Sequence, residues 1–176
     1  AKVDEAFQID DQYALDIIYD LLKYEGKGYP ALYSYPIKEL EKLREKSFHE
    51  KNISLGKKIY KPDFKAELID LNLIANVNRG GLLTINIRGE KILYDRDKNK
   101  VIYNGHGVEL ITQEDTQEFR ILVDRASVEI FCNGGEKALF ESVVVDPNKK
   151  FIEFSTNDTK SKIKQLNIYS LKSAWK

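Results

Sequence analysis

From Ile53 to Leu171 the sequence returns about every ten residues to a short apolar or alternating run, each closed by Gly, Asn or Asp. No other feature narrows the fold as much. Alternation with period two puts every second side chain on one face of a strand. Turn residues at this interval leave room for antiparallel connections and little else. The pattern predicts one long strand through Phe64, Ala66, Leu68 and Ile69 to Ile74, then Leu82 to Ile87 after the Gly80-Gly81 turn. Ile92 to Tyr94 and Val101 to Tyr103 flank a polar hairpin loop, Asp95 to Lys100. Phe119 to Val123, Val128 to Cys132, Ala138 to Val145, Phe151 to Phe154 and Ile163 to Leu171 complete the set. Asn133-Gly134-Gly135 stands between two of these runs and is suited to a hairpin turn that needs positive φ. The expected fold class is all-β: an antiparallel sandwich or barrel.

The N-terminal part differs. Leu15, Ile18 and Leu22 recur at helical spacing, Asp10 and Asp11 are candidate caps, and Gly26 and Gly28 stop the pattern, which predicts a helix over 10–25. Residues 1–25 hold two Lys against seven acids, so the expected helix carries a solvated acidic face, with docking by charge onto the mildly basic remainder as the alternative. Tyr29 to Tyr35 alternates as a short strand, with Tyr29, Tyr33 and Tyr35 on one face. Pro36 opens a second, short helical segment through Lys46, with Ile37, Leu40 and Leu43 as its apolar side. The predicted organisation is a short N-terminal helical lead or linker over 1–28 and one all-β domain over 29–176.

Composition excludes several classes of function. Across 176 residues, 28 Lys+Arg balance 28 Asp+Glu, which argues against a nucleic-acid partner or a polybasic membrane binder. No apolar run reaches the roughly 18 residues of a membrane-spanning helix. The single Cys132 rules out an intrachain disulfide and a Cys-based zinc site. Methionine is absent even at position 1, so Ala1 is expected not to be a translation start, and the chain to be a mature product or a piece of something longer.

Chemistry has few candidates. His49 and His106 are the only imidazoles, neither sits in a nucleophile motif, and His106 falls in the turn sequence Asn104-Gly105-His106-Gly107. Two isolated His do not make a metal site, no calcium loop occurs, and the Gly pairs lie between strands, not before helices, so no metal and no cofactor is expected. Glycosidases work with paired carboxylates, and Asp124 and Glu129 lie close together in sequence. Alternation sets Val128, Ile130 and Cys132 on one face and Glu129 and Phe131 on the other. The simpler expectation is an ion pair between Arg125 and an acid where two strands cross, with replacement of Asp124 or Arg125 lowering stability more than binding. Tyr29, Tyr33 and Tyr35 are candidate carbohydrate or inter-domain contacts, weighed against plain packing.

The block Phe119-Arg-Ile-Leu-Val-Asp-Arg-Ala-Ser-Val-Glu-Ile-Phe-Cys-Asn-Gly-Gly-Glu136 closely resembles the signature LRILVDRSSVEVFVNDGE of glycoside hydrolase family 32, which contains invertases, inulinases and levanases. Tyr35-Pro-Ile-Lys-Glu-Leu-Glu-Lys-Leu-Arg44 is similar to the family's junction after its catalytic domain, and Lys164 to Trp175 to its closing strand. The resemblance covers about residues 31–176 and falls on the family's C-terminal β-sandwich module, which implies an antiparallel two-sheet β-sandwich of jelly-roll or concanavalin-like type over 29–176, with Asp124, Arg125 and Glu129 as structural members of the signature.

What it implies is bounded by what it lacks. The family's catalytic carboxylates belong to a five-bladed propeller, in Trp-Met-Asn-Asp-Pro-Asn, Arg-Asp-Pro and Glu-Cys motifs. Here Asp146-Pro147-Asn148 reads as a turn, Arg96-Asp97 is followed by Lys98, and Cys132 follows Phe131. No catalytic residue is therefore expected in this chain. The resemblance implies a non-catalytic module of a fructan or sucrose hydrolase whose partner is that propeller, in a parent enzyme expected to be secreted, cell-surface or periplasmic. The alternative is a stand-alone fructan-binding module, and a homo-oligomer is a further candidate partner. An exposed apolar strip involving Tyr33, Leu40 and Leu43 is expected where a propeller would sit.

Overall fold

The computed structural model describes residues 34–56 and 58–173. The helix expected over 10–25, the 1–28 lead, Tyr29, Tyr33 and Trp175 lie outside the described residues. After an irregular stretch at 34–37, a 3-10 helix, Lys38–Leu43, leads into eleven strands among the described residues. They are β1 (Arg44–Ser54), β2 (Ile69–Asn76), β3 (Leu82–Ile87), β4 (Glu90–Asp95), β5 (Lys100–Tyr103), β6 (His106–Glu109), β7 (Thr116–Val123), β8 (Ser127–Cys132), β9 (Lys137–Ser142), β10 (Ile152–Thr156) and β11 (Lys162–Leu171).

The strands form two antiparallel sheets, ordered β1-β11-β2-β7-β8-β9 and β10-β3-β4-β5-β6. The all-β fold expected from the period-two pattern is what the chain adopts, in the two-sheet sandwich form that the resemblance implies. Alternate residues of the two sheets face each other and bury one core. Leu71 and Leu73 of β2, Phe119 and Ile121 of β7, and Val128, Ile130 and Cys132 of β8 enter it from the six-stranded sheet. Leu83, Ile85, Ile92, Tyr94, Val101 and Phe154 meet them from the five-stranded sheet. Tyr94 and Phe119 touch across the gap with ring centroids 5.5 Å apart. Burial of each such side chain is worth about 1.5–3 kcal/mol, so this core is the main driving term for the fold.

Several boundaries differ from the sequence expectation, each for a local reason. The segment after Pro36 is a single 3-10 helix ending at Leu43, and Arg44 already belongs to a strand. That strand, β1, escapes the pattern because it is an edge strand with one neighbour, β11, and of its residues only Phe48 and Ile53 are apolar. The long strand expected from Phe64 begins only at Ile69, while Phe64 and Ala66 reach the core from irregular chain. Arg88, buried and with φ of 56°, pins this stretch by donating to the carbonyls of Glu67, Lys149 and Asp146 at 2.6, 2.9 and 3.1 Å.

Asn104 and Gly105, both with positive φ, make the turn that His106 is expected to share, and His106 instead opens β6 opposite Tyr103. The strand expected over Ala138 to Val145 stops at Ser142. Beyond it Val143 and Val145 still donate to the carbonyls of Ala126 and Arg125, which leaves Val145 inside and Val144 outside. Asn133-Gly134-Gly135 does connect two adjacent strands through positive φ, at 48°, 66° and 94°, but as a 3-10 turn.

Candidate functional site

The outer face of the six-stranded sheet holds buried charge, which an ordinary solvated face does not. Register aligns Asp70 of β2 with Leu122 of β7 and Glu129 of β8, and Asn72 with Arg120 and Phe131. All six side chains point away from the core, because their neighbours in sequence point into it. Yet Asp70 is fully buried and Arg120 nearly so.

Asp70 is the hub. Arg120 grips it with two bonds of 3.0 Å, Nε to Oδ1 and Nη2 to Oδ2. Arg44, at the start of β1, adds Nε and Nη2 to Oδ2 at 2.9 and 2.6 Å. Asn72 Nδ2 donates to Oδ1 at 3.2 Å. Burial works against the charge on Arg120, but its bonds to the Asp70 carboxylate outweigh that and raise the guanidinium above its ordinary value. Tyr35 stands by the cluster, with the Arg120 guanidinium 5.3 Å from its ring centroid. Its ring meets Phe131 edge-on at 5.8 Å, and Phe131 meets Phe140 of β9 in the same way at 5.4 Å.

The three signature residues come together beside this cluster. Asp124, Arg125 and Glu129 line a cleft of about 200 Å³ with Leu40 and Leu43 from the 3-10 helix and Leu122 from β7. Asp124 and Arg125 form the β7–β8 hairpin, closed by the Asp124 amide donating to the Ser127 carbonyl. The Asp124 carboxylate turns back to its own loop, accepting from the Arg125 amide at 2.5 Å. Arg125 Nε donates to Glu67 at 2.7 Å and holds that carboxyl below its ordinary range. Glu129 shifts the other way: burial, with the nearby Asp124 charge second, pushes its carboxyl up.

Of the expected tyrosine row, only Tyr35 is among the described residues, and it is 41% exposed. Leu40 and Leu43 do not form the exposed strip expected of them. They are half-buried in the cleft, and the exposed apolar side chains nearby are Tyr35, Ile37 and Phe140. Sequence patterning does not single out Asp70, Arg44 or Arg120. The available signal is Asp70 itself, an acid in the otherwise apolar run Leu68-Ile69-Asp70-Leu71.

The profile of the family described as "Glycosyl hydrolases family 32 C terminal" matches residues 39–170, which includes nearly the whole sandwich from the 3-10 helix to β11. The chain belongs to this family. Within it, a levanase of Bacillus subtilis is 36% identical over 58 residues, 33% of this chain and 9% of the levanase. A sucrose-6-phosphate hydrolase of Staphylococcus xylosus is 33% identical over 86 residues, 47% of this chain and 17% of that enzyme. Among solved structures, an exo-inulinase of Aspergillus awamori superposes with a TM-score of 0.64 at 18% identity, covering 84% of this chain and 34% of the other. A fructan 1-exohydrolase of Cichorium intybus superposes with a TM-score of 0.61 at 13% identity, covering 81% of this chain and 38% of the other. The chain thus spans less than a fifth of the two curated relatives and about a third of these solved family 32 structures.

Proposed function

We propose that this chain is the non-catalytic β-sandwich module of a family 32 fructan or sucrose hydrolase, and that it packs against a catalytic propeller. The observation that carries this is the match of the C-terminal family profile to nearly the whole sandwich, in a chain that spans only 9% and 17% of its levanase and sucrose-6-phosphate hydrolase relatives. The signature carboxylates support it. Asp124 closes its own hairpin, and Glu129 sits half-buried against Leu40, Leu43 and Leu122. Retaining glycoside hydrolysis needs one carboxylate as nucleophile and another as acid, both facing the sugar. The exposed Tyr35, Ile37 and Phe140 supply apolar surface for a neighbouring domain.

The test is incubation of the chain alone with sucrose, inulin and levan, followed by assay for free fructose. No release is expected. In parallel, a recombinant family 32 propeller lacking its own sandwich is added, and a complex with a raised melting temperature is expected. Fructose release by the chain alone would overturn the proposal.

A further inference from the structure

On the same outer sheet face, a second groove runs over β11, β2 and β7, away from the signature cleft. Its volume is about 290 Å³, and Asn72, Gln165, Asn167, Glu118, Tyr169 and Arg44 are among the residues that line it. Register explains the grouping. Asn167 is the cross-strand partner of Asn72, while Gln165 and Glu118 flank Ile74 from either side. Three side-chain amides therefore stand on adjacent strands of one face, half-buried, with Ile74 on the floor between them. On the corresponding face of the other sheet, Asn86 already donates to Glu153 and stands beside Thr84, Lys91 and Lys100.

The hydrogen bonds that these groups already make decide what could bind. Asn72 is oriented by donating to Asp70, and Asn167 Oδ1 is held 2.9 Å from His49 Nδ1. Each keeps half of its amide for a ligand: the carbonyl oxygen of Asn72 and the NH₂ of Asn167. The Gln165 amide, the Glu118 carboxylate and the Tyr169 hydroxyl make no side-chain hydrogen bond to protein groups among the described residues. The groove thus offers unspent donors and acceptors side by side, which is the pattern that suits hydroxyl groups, each able to donate and accept. Its charge fits an uncharged ligand. Arg44 is committed to Asp70 and stands 3.5 Å from Glu41, and Glu118 adds a further negative charge, so no free cation among the lining residues waits for a phosphate.

We infer that this groove binds a short, uncharged β-fructosyl chain through the amides of Asn72, Gln165 and Asn167 and the carboxylate of Glu118. A furanose suits it better than a pyranose. Pyranosides gain much from stacking a flat C–H face on an aromatic ring, but Arg44 covers Tyr169 at 4.0 Å and His49 abuts it edge-on. The volume lies at the small end of ligand clefts, about 300–1,000 Å³, which fits a short segment and not a long chain. That the sugar is fructosyl rests on the family reading above, whereas binding of a neutral sugar rests on the groove itself.

The test follows side-chain and backbone amide signals of the full chain by NMR during titration with β-2,1-linked and β-2,6-linked fructotriose, with maltotriose and cellotriose as controls. Either fructotriose is expected to shift the NH₂ signals of Asn72, Gln165 and Asn167 and the backbone of β2 and β11, and the controls are not. Gln165→Ala combined with Asn167→Ala should weaken binding by about tenfold or more, since at least two hydrogen bonds are lost. If that variant folds poorly, the titration of the unaltered chain decides. No shift at these residues with any sugar overturns the site. Equal shifts with maltotriose or cellotriose overturn the fructosyl assignment, and the parentage is then judged separately by the hydrolysis assay.

Discussion

Arg120 and Asp70, fifty residues apart in sequence, meet through two bonds of 3.0 Å on the outer face of a sheet, and both are buried there. Arg44 completes the cluster from the first residue of β1, so one carboxylate fastens the entry of the chain to the centre of the six-stranded sheet.

Removing Asp70 leaves Arg120 charged, buried and unpaired, which costs about 3–5 kcal/mol. Asp70→Ala is expected to lose that much in urea unfolding, and Arg120→Ala less, because Arg44 and Asn72 still hold Asp70. Arg44→Ala should lose less, because its side chain is 19% exposed and Arg120 still pairs with Asp70. Replacing Asp70 and Arg120 together should cost clearly less than the sum of the two single changes. Additive losses would mean that the two residues are not coupled.

The signature's other arginine is expected to behave differently. Arg125 is 62% exposed and pairs with Glu67 at the rim, so Arg125→Ala should move the melting temperature only slightly. This reverses the expectation drawn from its core-strand neighbours. Exposed pairs are screened by salt, and the small effect should vanish at about 1 M NaCl. A loss as large as that of Arg120→Ala would show that the hairpin carries more of the fold than its exposure indicates.

These two arginines mark where the sequence is informative. The period-two pattern identifies most of the sandwich strands and correctly sorts Val128, Ile130 and Cys132 inward and Glu129 and Phe131 outward, because side-chain direction in a strand is a local property. The Asp70–Arg120 pair is not local. It exists only once β2 and β7 are in register, and no spacing within either strand announces it. β1 escapes the pattern for a related reason: its pairing is set by β11, and its polar outer face gives no period. The signature block points to the right region but favours Arg125, the exposed member, over Arg120, the buried one.

Gly135 and Gly134 offer a test of how the entry segment is held. Both have positive φ, so any side chain there is strained. A Cβ on Gly134 would meet nothing within 4 Å, whereas one on Gly135 would lie 2.5 Å from the Ser34 carbonyl oxygen. Ser34 also donates its amide to the Gly135 carbonyl at 3.3 Å. Gly134→Ala should therefore cost about 1 kcal/mol, the conformational penalty alone. Gly135→Ala should cost more and should also perturb NMR signals of Ser34 and Tyr35. Equal costs, with Ser34 and Tyr35 unmoved, would show that the contact does not hold the entry segment.

Glu129 should make stability depend on pH in an unusual direction for a carboxylate. Its folded pKa is raised, by burial first and by Asp124 second. A carboxyl raised on folding is protonated more readily in the folded chain, so its ionised form costs stability at neutral pH. That cost disappears once the pH falls below the unfolded value, about 4.3 for Glu. Glu129→Gln should then raise the melting temperature at pH 7, and the gain should shrink to nothing near pH 3. Asp124→Asn should give a smaller gain of the same sign from Glu129, offset by the weakened bond to the Arg125 amide. Thermal melts of the three proteins between pH 3 and 8 decide the matter. A Glu129→Gln gain that stays constant across that range would mean that packing of the amide, not the charge, accounts for it.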